Sequence, residues 1–330
     1  MTITWRSRSQ ERASVQSLEL APMADAGDLH PDVDATFTLA VSRAAFERST
    51  AGGKHGRRYS ECMTSQEQKG AAFQALHENG AFVIPNPWDA GSARVLSALG
   101  FKALATTSSG FAFTLGRLDG TTTLDEVVAH AAVISRVSDL PLSVDLENGY
   151  GSEPAHAALA IQRIADAGAV GGSIEDYDPS GAIYPIPQAV ERIAAAVEAA
   201  RALHFPFTLT ARAENHIRGN PNLADTIDRL QAFAAAGADV LYAPGLRTLD
   251  EIRTLCAAVA KPVNVLAVPG LSLSDVAAAG ARRVSVGGSL TWVAVRAMAD
   301  AAMSIRDDGN FAALSARLPL QDWFQGGSEP

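Results

Sequence analysis

Asp145 and Glu147 stand two residues apart at the end of the short apolar run Leu142–Val144, a spacing that puts both carboxylates on one face of a strand. Two such groups side by side repel unless a cation or a proton lies between them. A second run ends in Glu175 and Asp176, and a third ends in Arg212-Ala213-Glu214, with His216 just beyond. Asp145, Glu147 and Glu175 would together make the hard-oxygen surroundings that Mg2+ favours, with water completing its shell. Mn2+ is the alternative ion. Another run leads into Thr107-Ser108-Ser109-Gly110, where hydroxyls and backbone amides around a glycine offer a cradle for a carboxylate or phosphonate. Asp119 follows shortly after it. Asp89, just ahead of a helical stretch, reads as an N-cap. The plainer reading of the acids, as solvated strand ends that cap helices, stays open at this point.

These groups share one placement, at the ends of short β-rich runs. From Gln66 onward eight such runs occur: 81–86, 103–108, 142–147, 171–176, 207–213, 239–244, 263–267 and 282–287. Each precedes a helical stretch, at 90–99, 123–137, 155–167, 188–203, 223–236, 249–259, 272–278 and 290–305. Gly100, Gly168, Gly237 and Gly280 end helices, and Pro141, Pro206 and Pro262 sit just before strands, where no ladder N–H is lost. Eight strand–helix units predict an α/β chain folded as a (β/α)8 TIM barrel, whose chemistry sits at the C-terminal ends of the strands. An open doubly wound sheet is the structural alternative. Residues 1–62 lack any sustained apolar period and read as a poorly ordered N-terminal extension, with the barrel and its C-terminal helices over 63–330. Met63-Thr-Ser-Gln-Glu has the look of a protein start running into a helix.

The bulk composition narrows the partners. Apolar residues make up 47% of the 330, enough for a large core, and the net charge of -9 speaks against a nucleic-acid or anionic-membrane partner. No apolar run reaches the roughly 18–20 residues of a membrane span. Cys62 and Cys256 are the only cysteines, so a disulfide framework is not expected and a cytoplasmic location is.

The ordered set Trp88-Asp89-Ala90-Gly91-Ser92-Ala93, Ser109-Gly110, Asp119, Asp145-Leu-Glu-Asn-Gly-Tyr-Gly151, Ile174-Glu175-Asp176 and Ala211-Arg212-Ala213-Glu214 resembles the isocitrate lyase / phosphoenolpyruvate mutase superfamily over about residues 66–310. The resemblance implies Mg2+ bound largely through water and a 2-oxo or 2-hydroxy carboxylate substrate, cleaved or rearranged at a C–C or P–C bond. It also implies a dimer or tetramer in which the C-terminal helix is swapped between subunits. It matches Ser109 and Gly110 to a carboxylate-binding pair, Asp119, Asp145, Glu147 and Glu175 to metal-site acids, and Arg212 to a substrate arginine. Glu147 stands where many relatives have Asp. Isocitrate and methylisocitrate lyases carry a proton-transfer cysteine after the fourth strand, whereas this loop reads Tyr177-Asp178-Pro179-Ser180-Gly181-Ala182-Ile183-Tyr184-Pro185.

The expected reaction is C–C cleavage of a small carboxylate through a metal-stabilised enolate, by decarboxylation of an oxaloacetate-like acid or by retro-aldol cleavage. Asp119, Arg212, Glu214 and Tyr184 are the catalytic candidates, and Ser108, Ser109, Gly110, Arg212 and His216 the substrate-binding ones. Glu214, His216 or Tyr184 could take the hydroxyl proton that a retro-aldol step releases. A Schiff-base aldolase is disfavoured, because Lys54, Lys69, Lys102 and Lys261 are the only lysines and none ends a strand. A phosphonate-processing enzyme and a non-catalytic carboxylate-binding barrel are the alternatives. A chain beginning at Met63 is expected to keep its melting temperature and activity, measured side by side with the full chain. A large loss of either would show that the extension supports the barrel.

Overall fold

Every one of the eight apolar runs forms a parallel strand. The structure is a computed structural model that describes residues 64–315 and 317–325, together with two three-residue strands, Thr2–Thr4 and Thr36–Thr38, that pair antiparallel. The expectation for residues 1–62 otherwise lies outside the described residues. The strands are β1 (Phe82–Ile84), β2 (Leu104–Ala105), β3 (Leu142–Asp145), β4 (Gly171–Glu175), β5 (Thr208–Arg212), β6 (Val240–Tyr242), β7 (Val263–Leu266) and β8 (Arg283–Ser285). Their ladder runs from β2 through to β8 and on to β1, in chain order. The remaining seam is spanned by the Ala105 N–H, which donates to the Pro85 carbonyl at 3.0 Å, and by Asn86 Nδ2, which donates to the Thr106 carbonyl at 2.9 Å. This is the expected (β/α)8 barrel.

Eleven α-helices are described: α1 (Gln66–Leu76), α2 (Ala90–Ala98), α3 (Ser108–Thr114), α4 (Leu124–Val137), α5 (Pro154–Asp166), α6 (Ile186–Arg201), α7 (Leu223–Ala235), α8 (Leu249–Ala258), α9 (Leu273–Ala278), α10 (Ser289–Asp308) and α11 (Leu320–Gln325). Their starts follow side-chain chemistry. The side chains of Ser65, Thr123, Thr248 and Ser272 each accept the N–H three residues on, and their own backbone N–H donates to that residue's side chain. Asp89 caps α2 as expected, accepting the Ser92 N–H at 2.7 Å. The ends use backbone shape: Gly168 and Gly237 turn the chain into β4 and β6 at φ 98° and 103°, a region costly for residues with a Cβ.

Small residues set the spacing of the layers. Ala157 and Ala160 on α5 and Ala189 and Ala196 on α6 are buried, and Ile161, Ile164 and Ile193 fill the space between these helices and the strands. Phe73 of α1 closes the N-terminal end of the barrel against Ile84, Ala103 and Val170. No helix among the described residues is long and apolar enough to cross a membrane.

Two histidines are buried in this shell. His130 stacks on Phe111 with centroids 4.0 Å apart, and its Nε2 lies 3.1 Å from the Trp88 carbonyl oxygen. Burial lowers His130 to about 4, and burial together with Arg283 lowers His77 to about 3. A depressed histidine is neutral in the fold but takes up a proton in the unfolded chain below about pH 6.5, so its contribution is intact above that value and lost as pH falls toward 4. The melting temperature should therefore fall between pH 6.5 and 4. Replacing His130 with Gln should flatten that slope, and an unchanged slope would mean that this ring is not one of its sources.

Candidate active site

Arg212, the last residue of β5, sits among carboxylates from three strands. Its Nε lies 3.4 Å from Glu175 Oε2 at the end of β4, and Nη1 lies 3.8 Å from Asp145 Oδ1 at the end of β3. It also pairs closely with Glu214, and its guanidinium lies 5.2 Å from the Tyr242 ring centroid. Burial alone would lower Arg212, but Glu175 and Glu214 hold it well above its ordinary range. Glu175 is pushed well above the usual carboxylate range by burial, with Glu214 and Asp145 adding and Arg212 opposing. Arg212 is thus the buried counter-charge these acids share, with Arg218 adding a second at 2.9 Å from Glu214 and 3.9 Å from Glu175.

The expectation that Asp145 and Glu147 share a strand face needs correction. The strand ends at Asp145, and Glu147 has a left-handed backbone with φ 49°, a conformation that costs a non-glycine residue roughly 1–2 kcal/mol. Asp145 Oδ1 accepts the Glu147 N–H at 3.4 Å, the Glu147 carbonyl accepts the Glu175 N–H at 2.9 Å, and Asn148 Oδ1 accepts the Tyr150 N–H at 3.0 Å. Arg192 of α6, which is buried, clamps this turn by donating to the carbonyls of Asn148 and Gly151. A hydrogen-bonded turn, not pleat alternation, brings Glu147 to the mouth. Burial and the neighbouring Asp145 and Asp119 charges raise Glu147 to about 7.

The loop expected after β2 is also different, because Ser108–Thr114 is the helix α3, capped by Thr107. Two of its amides are engaged within the protein: Ser108 N–H donates to Asp145 Oδ2 at 3.2 Å and Gly110 N–H to Thr107 Oγ1 at 3.4 Å. Ser109 Oγ lies 3.2 Å from Thr107 Oγ1. A Cβ on Gly110 would meet Thr107 Cγ2 at 2.6 Å and Thr291 Oγ1 of α10 at 2.7 Å, so the close approach of α3 to α10 requires glycine here.

A cavity of about 250 Å3 opens at the C-terminal ends of β3 to β5, and Ser108, Asp119, Glu147, Glu175 and Arg212 line it. Asp145 lines a smaller inner chamber of about 60 Å3, which shares the Arg212 side chain as a wall. The remaining candidates lie behind these walls. Glu214 is fully buried and held by Arg212 and by Arg218 Nε at 2.9 Å. His216 Nε2 is 3.8 Å from Glu251, away from both linings. Tyr184 OH donates to Asp178 Oδ2 at 2.7 Å and accepts from Asn148 Nδ2 at 3.1 Å, and its ring lies under Arg192, so it braces the Glu147 turn. Sequence reasoning missed Arg218 and Asn148 in the outer cavity and Tyr242, Asn264 and Arg283 in the inner chamber. Arg218 lies over the Tyr177 ring at 3.8 Å, a contact that sequence spacing does not reveal.

Among the described residues, no three acidic or imidazole groups cluster tightly enough to chelate a cation by themselves. Asp119, Glu147 and Glu175 are instead spread around the larger cavity, with Asp145 next to it. An all-oxygen set set apart in this way fits a hydrated divalent cation bound mainly through water.

The profile of the phosphoenolpyruvate phosphomutase family matches residues 73–306. The chain belongs to the isocitrate lyase / phosphoenolpyruvate mutase superfamily. A Burkholderia cenocepacia J2315 protein assigned provisionally as a lyase/mutase is 50% identical, with a TM-score of 0.77 over 79% of this chain and 97% of that one. The oxaloacetate decarboxylase of Paraburkholderia xenovorans LB400 is 32% identical over 81% of this chain and 90% of its own. An oxaloacetate acetylhydrolase, solved with the product oxalate, is 25% identical with a TM-score of 0.72, covering 79% and 95% of the two chains. Superfamily relatives of this kind are lyases or mutases.

Removing Arg212 should reveal its structural share. Arg212→Met leaves buried Glu175 and Glu214 with only the half-exposed Arg218 as counter-charge, and removing one partner of a buried pair costs about 3–5 kcal/mol. Urea denaturation measures it, and an unchanged midpoint would mean that protons already neutralise the acids.

Proposed function

We propose that this protein is a divalent-metal-dependent lyase that cleaves a C–C bond of a small 2-oxo or 2-hydroxy carboxylate. The observation that carries this reading is the cavity in which Asp119, Glu147 and Glu175 surround space beside Arg212, with Asp145 adjoining. These four acids are the residues that would hold the cation, Mg2+ being the ion suited to a spaced oxygen set. When bound, it supplies Lewis acidity toward the carboxylate and keto oxygens of the substrate.

The chain's own groups then have distinct tasks. Arg212 faces negative charge that develops when the bond beside the 2-oxo group breaks and its electron pair moves toward the carbonyl oxygen; such a fixed donor contributes about 3–4 kcal/mol in comparable sites. Ser108 and Asp145 hold each other in place through the 3.2 Å bond. Tyr177 and Tyr242, which line the two cavities, would be the phenols to exchange protons with substrate, whereas Glu214, His216 and Tyr184 stand outside both linings. Cys256 lies in α8 on the outside of the barrel, and burial raises its thiol to about 11, which leaves it protonated and unsuited to the role of the loop cysteine in isocitrate lyases. The expected homo-oligomer is supported by α10, on which Trp292, Val293, Met298 and Met303 are exposed.

A P–C bond reaction is the second reading, favoured by the match to the phosphomutase profile. One screen separates the two. With Mg2+ present, oxaloacetate or a 4-hydroxy-2-oxo acid should be turned over, phosphonopyruvate should not, and Asp145→Ala should weaken Mg2+ binding. Isocitrate and 2-methylisocitrate should stay below a kcat/KM of about 10⁴ M⁻¹s⁻¹, the lower end of ordinary enzymes. Turnover of phosphonopyruvate alone would overturn the C–C reading.

A further inference from the structure

The ladder register sets Glu175, Arg212, Tyr242, Asn264 and Arg283 beside one another across β4, β5, β6, β7 and β8. Paired residues of neighbouring strands share a face, and the stagger of a closed barrel turns such a row into a spiral. This one starts at the last residue of β4, at the mouth, and descends to Arg283, the first residue of β8. An acid stands at its top and a cation at its foot.

Arg283 is only 5% exposed. Its Nε donates to Asn264 Oδ1 and its Nη2 to Thr210 Oγ1, both at 2.9 Å, and Nη1 lies 3.3 Å from His77 Nε2. His77 Nδ1 is 2.8 Å from the Phe73 carbonyl oxygen, which can only accept, so Nδ1 carries the proton and Nε2 accepts from Arg283. All three partners are neutral. Arg212, Arg218 and Arg229 each pair with a carboxylate, but among the described residues Arg283 has none within ion-pair distance. Burial lowers it only to about 10, so it is charged at neutral pH. An uncompensated buried charge costs several kcal/mol, and three of the five guanidinium N–H groups are used, leaving two.

Arg283 borders the inner chamber together with Thr106, Ser143, Ser173, Asn264 and Ser285. Its volume of about 60 Å3 is several times the roughly 10–15 Å3 that one ordered water needs. The one carboxylate in its lining, Asp145, is engaged by the Ser108 N–H and lies 3.8 Å from Arg212, whereas the lining around Arg283 is neutral. Two arginines against one acid suit an anion that enters from the mouth. We propose that the inner chamber is the subsite for the second carboxylate of a dicarboxylate substrate, with Arg283 as its counter-charge. This rests on the carboxylate-lyase reading and narrows its substrates: the 2-oxo or 2-hydroxy end stays among Asp119, Glu147 and Glu175, and the other end reaches the chamber. A charge-assisted pair with a buried guanidinium would then discriminate against a substrate that ends in a methyl group.

Malate and 2-hydroxybutyrate share four carbons and differ in that one end. Calorimetric titration of the full chain with each, with Mg2+ in every arm, tests the subsite. The wild type should bind malate at least tenfold more tightly. Arg283→Met should erase the preference while retaining 2-hydroxybutyrate. Asn264→Asp provides a folding-independent check, since its carboxylate would stand where Asn264 Oδ1 now meets Nε at 2.9 Å and would neutralise Arg283 internally. That variant should keep or raise the melting temperature and also lose the preference. A preference that survives Asn264→Asp, or none in the wild type, overturns the subsite. Turnover of 2-oxo acids on the same preparations keeps the two ideas apart: turnover without discrimination sinks the subsite alone, whereas neither binding nor turnover sinks both.

Discussion

The mouth of this barrel depends on one guanidinium. Glu175 and Glu214 are buried beside each other, and burial raises the energy of both charges unless a cation shares their surroundings. Arg212 is the buried cation that serves both, with the half-exposed Arg218 beside it, and it is held in turn by the stagger that sets it beside Glu175 on one strand and Tyr242 on the other. Once Arg212 is fixed, Asp145 is within 3.8 Å of it, and Asp145 fixes the first turn of α3 through the Ser108 amide. The cavity walls follow from this chain of contacts.

A second layer restrains the loops that carry the other acids. Asp176 accepts the Glu214 N–H at 2.8 Å and bonds Arg229 Nη1 at 3.0 Å, and Arg229 also donates to the Tyr184 carbonyl at 2.9 Å. Tyr184 bonds Asn148, and Arg192 clamps the same turn from α6. The left-handed Glu147 is thus over-determined by side chains from two helices and two loops, which is how a strained residue persists at a site. Glu214 and Tyr184 do their work through position, not through contact with the cavity.

Charge is distributed unevenly down the barrel. Acids crowd the mouth and an unpaired cation lies deep in the interior, so a molecule with a chelating end and an anionic end meets complementary surroundings at both. The same polarity makes the interior expensive, and the hydrogen bonds of Asn264, Thr210 and neutral His77 to Arg283 offset part of that cost.

Alternation of β-rich runs with amphipathic stretches was enough to determine the barrel, because strand and helix periods differ and eight repeats leave little choice of architecture. Asp119, Glu147, Glu175 and Arg212 were legible as mouth residues for the same reason, since each ends a run or follows one closely. The turn that carries Glu147 was not legible, because its left-handed backbone depends on Arg192, which lies 45 positions further along the chain. The helix α3 was hidden by its short length, and its glycine makes sense only against Thr291 of α10. Arg283 looked like an ordinary strand-leading arginine beside Arg282. Only ladder register, which counts residues across strands and not along them, placed one arginine inside the barrel and left the other on its surface.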